Sequence, residues 1–319
     1  MILAGDVGGT STRLGLFERR EGALHEISSE RYLSRGYPGL LEIVRAFIAT
    51  HRRAIDRAAF GIAGPVRKGR VETPNLPWII EGAALARELS LPTVTLLNDL
   101  EANAWGVATL SAGDTDVLAA GAPTEEGNAA IIAAGTGLGE AGFFGDGGAL
   151  RPFASEGGHA DFAPRDPLTV ELYRWLAERH GHVSWERVVS GPGLVNIFTF
   201  LRERLGSMAS PELAEAAAIS KAALDGTNEI ATRALDLFVT LFGAEAGTLA
   251  LKMKATRGVW LGGGIAPKIL PRLKRPGFLE AFCDKGRFRS FLEAVPVRVI
   301  LNDRAALRGA AWHALSSGA

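Results

Sequence analysis

Ala4-Gly5-Asp6-Val7-Gly8-Gly9-Thr10 is a glycine turn with a short apolar run before it, residues 2–7, and a second, strand-like run after it, 11–17. A second turn of the same kind, Ala133-Ala134-Gly135-Thr136-Gly137-Leu138-Gly139, lies between runs at 129–134 and 138–144. Each run is short and suits a strand, so each turn reads as the tip of a β-hairpin. Glycine leaves no Cβ at such a tip and accepts positive φ, so successive backbone N–H groups can point at one anion. Two tips of this kind in one chain read as the jaws of a phosphate clamp.

Outward from the first turn, residues 26–33 read as a third strand, and apolar positions recur at helical spacing after Pro38-Gly39. Strands follow at 58–63 and 93–97, with a polar hairpin from residue 67 and a helix at 82–89 between them. The second of these strands ends at Asn98-Asp99, where a helix begins. The second half repeats the theme: strands at 116–120, 129–134 and 138–144, long helices, a strand at 258–261 ending in Gly262-Gly263-Gly264, and a last strand and helix. Strands alternating with helices build mixed sheets covered on both faces, which assigns the chain to the α/β class in two similar halves.

The 319 residues carry 35 Lys plus Arg against 35 Asp plus Glu, and 47% are apolar, enough for two cores. Balanced charge offers no footprint for nucleic acid or an acidic membrane surface, which points to a small neutral or anionic ligand. Cys283 is the only cysteine, so neither an intramolecular disulfide nor a cysteine zinc site is expected, in keeping with a reducing cytoplasm. Met1 leads straight into a strand, with no recognisable secretion signal. Residues 235–251 are the most apolar helical stretch; they contain Asp236 and Glu245 and read as a buried helix, too short and too charged for a membrane span.

Two familiar nucleotide motifs are set aside. Residues 137–142 formally match G-x-G-x-x-G, but that motif must open a helix and here it opens a strand. No G-x-x-x-x-G-K-[ST] run occurs. Asp6 ends the first strand beside Gly8 and Gly9, where a carboxylate can hold a phosphate-bound Mg²⁺ directly or through water, or cap the turn. Asp99 sits at a strand's carboxyl end, the usual place for ligand chemistry in open α/β sheets, and reads either as a helix N-cap or as a general base toward a hydroxyl. Ser155-Glu156-Gly157-Gly158-His159-Ala160-Asp161, with Ser184-Trp185-Glu186 further on, brings carboxylates and imidazole to glycine-rich backbone. Such groups suit vicinal sugar hydroxyls, each of which donates and accepts. The spacing lacks the H-E-x-x-H helix of a metal centre.

Taken in order, Gly-Asp-Val-Gly-Gly-Thr at 5–10, Asn98-Asp99, Gly-Thr-Gly-Leu-Gly at 135–139, Glu-Gly-Gly-His at 156–159, Ser-Gly-Pro-Gly-Leu-Val-Asn at 190–196 and Gly-Gly-Gly-Ile at 262–265 resemble the bacterial glucokinases of the hexokinase, actin and heat-shock ATPase superfamily. The resemblance covers nearly the whole chain. It implies a duplicated actin-like, ribonuclease H-like ATPase fold with two domains and an interdomain cleft, residues 1–109 with 300–319 forming the small domain and 110–299 the large one. It implies transfer from ATP-Mg²⁺ to the glucose 6-hydroxyl, and a homodimer.

Carried over by position, Asp99 is the base; Asn98, Glu156, His159 and Glu186 hold other sugar hydroxyls, and Asn75 approaches the sugar. Gly8, Gly9, Thr10, Gly135, Thr136 and Gly137 hold phosphates. Gly262, Gly263, Gly264 and Gly191 form the adenosine wall, and Asp6 is the Mg²⁺ residue. The cysteine cluster of the related repressor and sugar-kinase group is missing beside His159. Two alternatives stay open: a kinase for another hexose or amino sugar, and a sugar-sensing regulator on the same fold. A regulator is expected to carry a DNA-binding helix pair ahead of the first strand, where this chain already has Asp6.

Overall fold

The computed structural model describes residues 1–317 except 74, 75, 123, 125, 147, 148 and 207–212. Two compact units form, Met1–Asp114 with Asn302–Ala319, and Thr115–Leu301. In chain order the first holds β1 (Ile2–Val7), β2 (Ser11–Arg20), β3 (Ala23–Leu33), α1 (Leu40–His51), β4 (Arg57–Ile62), β5 (Arg70–Glu72), β6 (Ile79–Glu81), α2 (Gly82–Leu89), β7 (Thr95–Asn98) and α3 (Asp99–Val107). The second holds β8 (Thr115–Ala119), β9 (Ala129–Ala134), β10 (Leu138–Asp146), β11 (Ala149–Ser155), α4 (Pro167–His180), α5 (Gly191–Arg204), α6 (Ala216–Asp225) and α7 (Glu229–Met253). It continues through β12 (Gly258–Gly262), α8 (Leu270–Leu273), α9 (Pro276–Cys283), α10 (Arg289–Glu293) and β13 (Val297–Ile300), and the chain returns to the first unit as α11 (Ala305–Ser316).

The duplication is visible in the strand pairing. The first sheet runs β3-β2-β1-β4-β7 and the second β11-β10-β9-β12-β13-β8. β1 pairs antiparallel with β2 and parallel with β4; β9 does the same with β10 and β12. Each glycine turn is therefore a hairpin tip beside a central parallel strand, as expected from the strand-like runs around it. β8 adds an antiparallel edge to the second sheet.

Burial explains why these elements hold. β1 is covered along almost its whole length, since Ile2, Leu3, Ala4 and Val7 are all buried, and α1 buries the stripe Leu40, Ile43, Val44 and Phe47 against the same sheet. The other face takes α11 through Leu307, Ala310, Ala311 and Ala314. Helical spacing of apolar residues is what lets one helix face do this.

The second core is built around α7. Its first turn is capped by Asn228, whose Oδ1 accepts from Ala231 N at 2.9 Å, so the helix starts six residues before the apolar stretch at 235–251. At 25 residues it is, by length and composition, the one helix among the described residues that could cross a membrane, which corrects the expectation that the segment is too short and charged. Its placement is that of a core helix: 72% of the apolar window is buried inside the structure. Gly243 and Gly247 make a notch on one face, where an added Cβ would strike the backbone carbonyls of Phe278 and Phe282 in α9.

Candidate functional site

In the first unit the predicted residues collect at the carboxyl ends of the parallel strands. Register places Asp6 beside Gly61 on β4, and Gly61 beside Leu97 on β7, one residue short of Asn98-Asp99. On the other side Asp6 lies opposite Arg13 of β2. Arg13 donates from Nη2 to Asp303 Oδ2 at 3.0 Å and from Nη1 to Asp303 O at 3.2 Å. Burial pushes the Asp6 carboxyl up to about 6; the charges of Asp99 and Asp303 add to this and that of Arg13 opposes it. Asp6 thus lies in the field of two other carboxylates and one guanidinium, and the guanidinium is bonded to Asp303.

Asn98, and not Asp99, is the N-cap of α3. Asn98 Oδ1 accepts from Leu100 N at 2.9 Å while its Nδ2 donates to Gly64 O at 3.1 Å. Asp99 is the first helical residue and its Oδ1 also accepts from Leu100 N, at 2.9 Å. The strand-to-helix corner is held chiefly by asparagine, which places the aspartate carboxylate in the helix's first turn, where backbone N–H groups favour negative charge.

The first hairpin tip is braced from below. Gly8 N donates to Ser11 O at 3.0 Å, the buried Ser34 donates from Oγ to Gly8 O at 2.7 Å, and Ser34 N donates to Thr10 O at 3.1 Å. A small recess beside Gly8 and Gly9 is lined by Thr73 and Leu76. These flank residues 74 and 75, so Asn75 itself lies outside the described residues.

In the second unit the tip at Gly135-Thr136-Gly137 is the meeting point. Gly135 N donates to Gly137 O at 2.9 Å and Gly191 N to Gly135 O at 2.8 Å, which joins the start of α5 to the turn. Ser190 caps that helix: its Oγ accepts from Gly193 N at 3.0 Å and donates to Glu186 O at 2.7 Å. Glu186 Oε2 accepts from Leu138 N at 2.9 Å, and a Cβ at Gly137 would lie 2.5 Å from that oxygen. Gly263, at φ +81°, packs where a Cβ would strike Ala134 O, and Ile265 N donates to Ala134 O at 3.2 Å. An open pocket of about 560 Å³ is bounded by Gly135, Thr136 and Gly191, by Asn196 and Ser220, and by Lys268. Gly262, Gly263 and Gly264 are not among its lining residues; Gly262 and Gly263 pack against Ala133 and Ala134 at the end of β9, and Ile265, Lys268 and Ile269 just after them line the pocket.

Glu156 and His159 bracket a short 3₁₀ turn, Gly157–His159, and both are exposed. The turn is tied to the segment carrying Glu186: Trp185 N donates to Ala160 O at 3.0 Å and Phe162 N to Val183 O at 2.9 Å. Glu156, His159 and Glu186 therefore come from two segments hydrogen-bonded to each other and to the glycine tip.

Sequence reasoning passed over Arg13, Ser34, Asp303 and most of the pocket wall. Arg13 required the observed register: the tip spans four residues, 8–11, and so sets Asp6 opposite Arg13 rather than Thr12. Ser34 and Asp303 reach the site through tertiary packing and carry no local signal.

Among the described residues no group of three His, Cys, Asp or Glu side chains is assembled as a metal centre. A phosphate-borne Mg²⁺ needs only one or two protein carboxylates, and the half-buried, charge-crowded Asp6 fits that demand for a cation.

The family model described as Glucokinase matches residues 3–317. The chain is 42% identical to a glucokinase of Trichormus variabilis over 98% of both chains, and 37% identical to one of Psychromonas ingrahamii over 97% of this chain and 95% of the other. Its fold matches a glucokinase from an Antarctic psychrotroph with a TM-score of 0.89 at 30% identity, over 98% of each chain.

Proposed function

The chain belongs to the glucokinase family and is a glucose kinase, and we propose that it transfers the γ-phosphoryl group of ATP to the 6-hydroxyl of D-glucose with Asp99 as general base. The observation that carries this is the placement of Asp99: a carboxylate at the end of β7, oriented by the Asn98 cap and followed by a helix. It accepts the hydroxyl proton as the oxygen attacks phosphorus, a contribution of roughly 10²- to 10⁴-fold.

On this reading Glu156, His159 and Glu186 take the remaining hydroxyls, with Asn98 as a further contact through the hydrogen-bonding capacity its cap leaves free. The N–H groups of Gly8 and Gly135 close their own hairpins, so phosphate falls to Gly9, Thr10, Thr136 and Gly137 at the tips. Adenosine takes the pocket beside Gly135 and Gly191, whose volume of about 560 Å³ suits a small ligand. Gly191 and Pro192 at the start of α5 line that pocket, and the N–H groups of Gly191 and Gly193 are spent on Gly135 O and Ser190 Oγ. In such transfers the protein chiefly positions reactants and offsets charge.

Asp6 is the residue that would hold Mg²⁺, while Asp303 is engaged by Arg13. The ion, when bound on the phosphates, supplies neutralisation of their charge. The homodimer and the cytoplasmic setting rest on the resemblance and on the kind of substrate.

A coupled assay of glucose 6-phosphate formation across a panel of hexoses and phosphoryl donors, with and without Mg²⁺, tests the reading. Glucose with ATP and Mg²⁺ is expected to give the highest kcat/KM. Turnover that prefers an amino sugar, or ignores ATP, contradicts it.

A further inference from the structure

We infer that Glu140 of β10 and Glu245 of α7 share one proton in the core of the second unit, and that this shared proton seats the turn carrying Glu156 and His159. The inference rests on the sugar-site reading above for what that turn does, and on geometry for the proton.

Both side chains are almost wholly buried, Glu140 at 1% exposure and Glu245 at 0%. Glu140 Oε1 and Glu245 Oε2 are buried without a hydrogen-bond partner. The two side chains are hydrogen-bonding neighbours, and two ionised carboxylates can only accept; a single proton held between them turns one into a donor to the other. The charged groups around them are few. Lys252, on α7, has Nζ 3.5 Å from Glu245 Oε1. Lys285, just beyond α9, spends its Nζ on Ala244 O at 2.8 Å and Thr248 Oγ1 at 3.0 Å, and lies in the field of Arg165 and Asp284. Burial is the main cause that pushes both carboxyls well above the usual range; the Glu140 charge adds to this for Glu245, and Lys252 opposes it for both.

Glu140 also touches the sugar-site turn. A Cβ at Gly157 would strike its Oε2, and Ser155 donates from Oγ to the Glu140 carbonyl at 2.9 Å and accepts from Gly157 N at 3.2 Å. Glu140 lies one residue past the Gly135–Gly139 tip and directly beneath Gly157, so it is a positioning residue and not a catalytic one. Loss of the shared proton leaves two like charges in a dry site, and the strand or turn must move to admit water.

The test combines kinetics and infrared spectroscopy on the wild-type enzyme and the Glu140→Gln and Glu245→Gln variants. Glutamine keeps the shape and supplies a permanent N–H donor. From about pH 6.5 to 9.5 the wild-type glucose KM is expected to rise about 5-fold or more with kcat changed less than about 2-fold, while both variants stay flat. A flat wild-type profile, or the same rise retained in the variants, overturns the seating role. Infrared spectra of unliganded wild-type enzyme near neutral pH should show a protonated-carboxyl band that is lost on alkaline titration and missing from both variants. Its absence from the wild type, or its persistence in the variants, overturns the shared proton whatever the turn binds. Glucose KM in His159→Ala separately reports on the sugar-site reading: an unchanged value counts against that reading and leaves the infrared result standing.

Discussion

Asp6 concentrates the electrostatics of the first unit. Its carboxyl is raised from 3.8 to about 6, chiefly by burial. The folded chain therefore holds that proton more tightly than the unfolded chain, and this contribution to stability is full below the ordinary value and lost as pH rises from about 4 through about 6. At neutral pH the ionised group costs the unliganded protein at most about 3 kcal/mol. Asp6→Asn is expected to raise the urea midpoint near neutral pH, with a smaller gain near pH 4.5, and to lower kcat/KM with Mg-ATP. An unliganded variant no more stable than wild type at neutral pH would show that Asp6 carries no such burden. Asp6, Asp99 and the Glu156 and His159 pair were legible in the sequence because each borders a glycine turn or a strand end. Arg13 required the hairpin register, and Glu140, read only as part of a motif, revealed its role through a helix more than a hundred residues later.

The hairpins were the most legible elements, since a short apolar run, a glycine tip and a second run leave little choice of partner. β11 was missed. It carries Arg151 and Pro152 and lies at the sheet edge, where a missing N–H is tolerated, so neither apolar content nor alternation marks it. The extent of α7 was also obscured, because its first turn is polar and its start depends on the Asn228 cap.

α5 links element and site. Ser190 caps it while holding the Glu186 carbonyl, so Ser190→Ala removes an N-cap and a brace on the segment carrying Glu186 at once. The expected loss is about 1 kcal/mol in stability, together with a higher KM for both glucose and ATP. A thermal melt with steady-state kinetics checks this; a stability loss with neither KM changed would confine Ser190 to capping.

For the whole molecule, the duplicated plan was legible from the repeated order of turns, because each half must place an antiparallel hairpin beside parallel strands to cover its core. The walls of the pocket proposed for adenosine were not, since Asn196, Ser220 and Lys268 come from three separate segments of the fold. A ligand that binds only the folded chain stabilises it by mass action. Glucose at about 100 times its dissociation constant is therefore expected to add about 2.7 kcal/mol to unfolding, with galactose adding far less. Equal stabilisation by both sugars would contradict a glucose-selective site.

The role of Asp99 is decided by pairing turnover with binding in one variant. Asp99→Asn keeps the shape of the group and removes its basicity. It is expected to bind glucose by calorimetry within about 3-fold of wild type while kcat falls about 100-fold or more. A variant that turns over at close to the wild-type rate would contradict the assignment of Asp99 as the base, and with it the mechanism built on that residue.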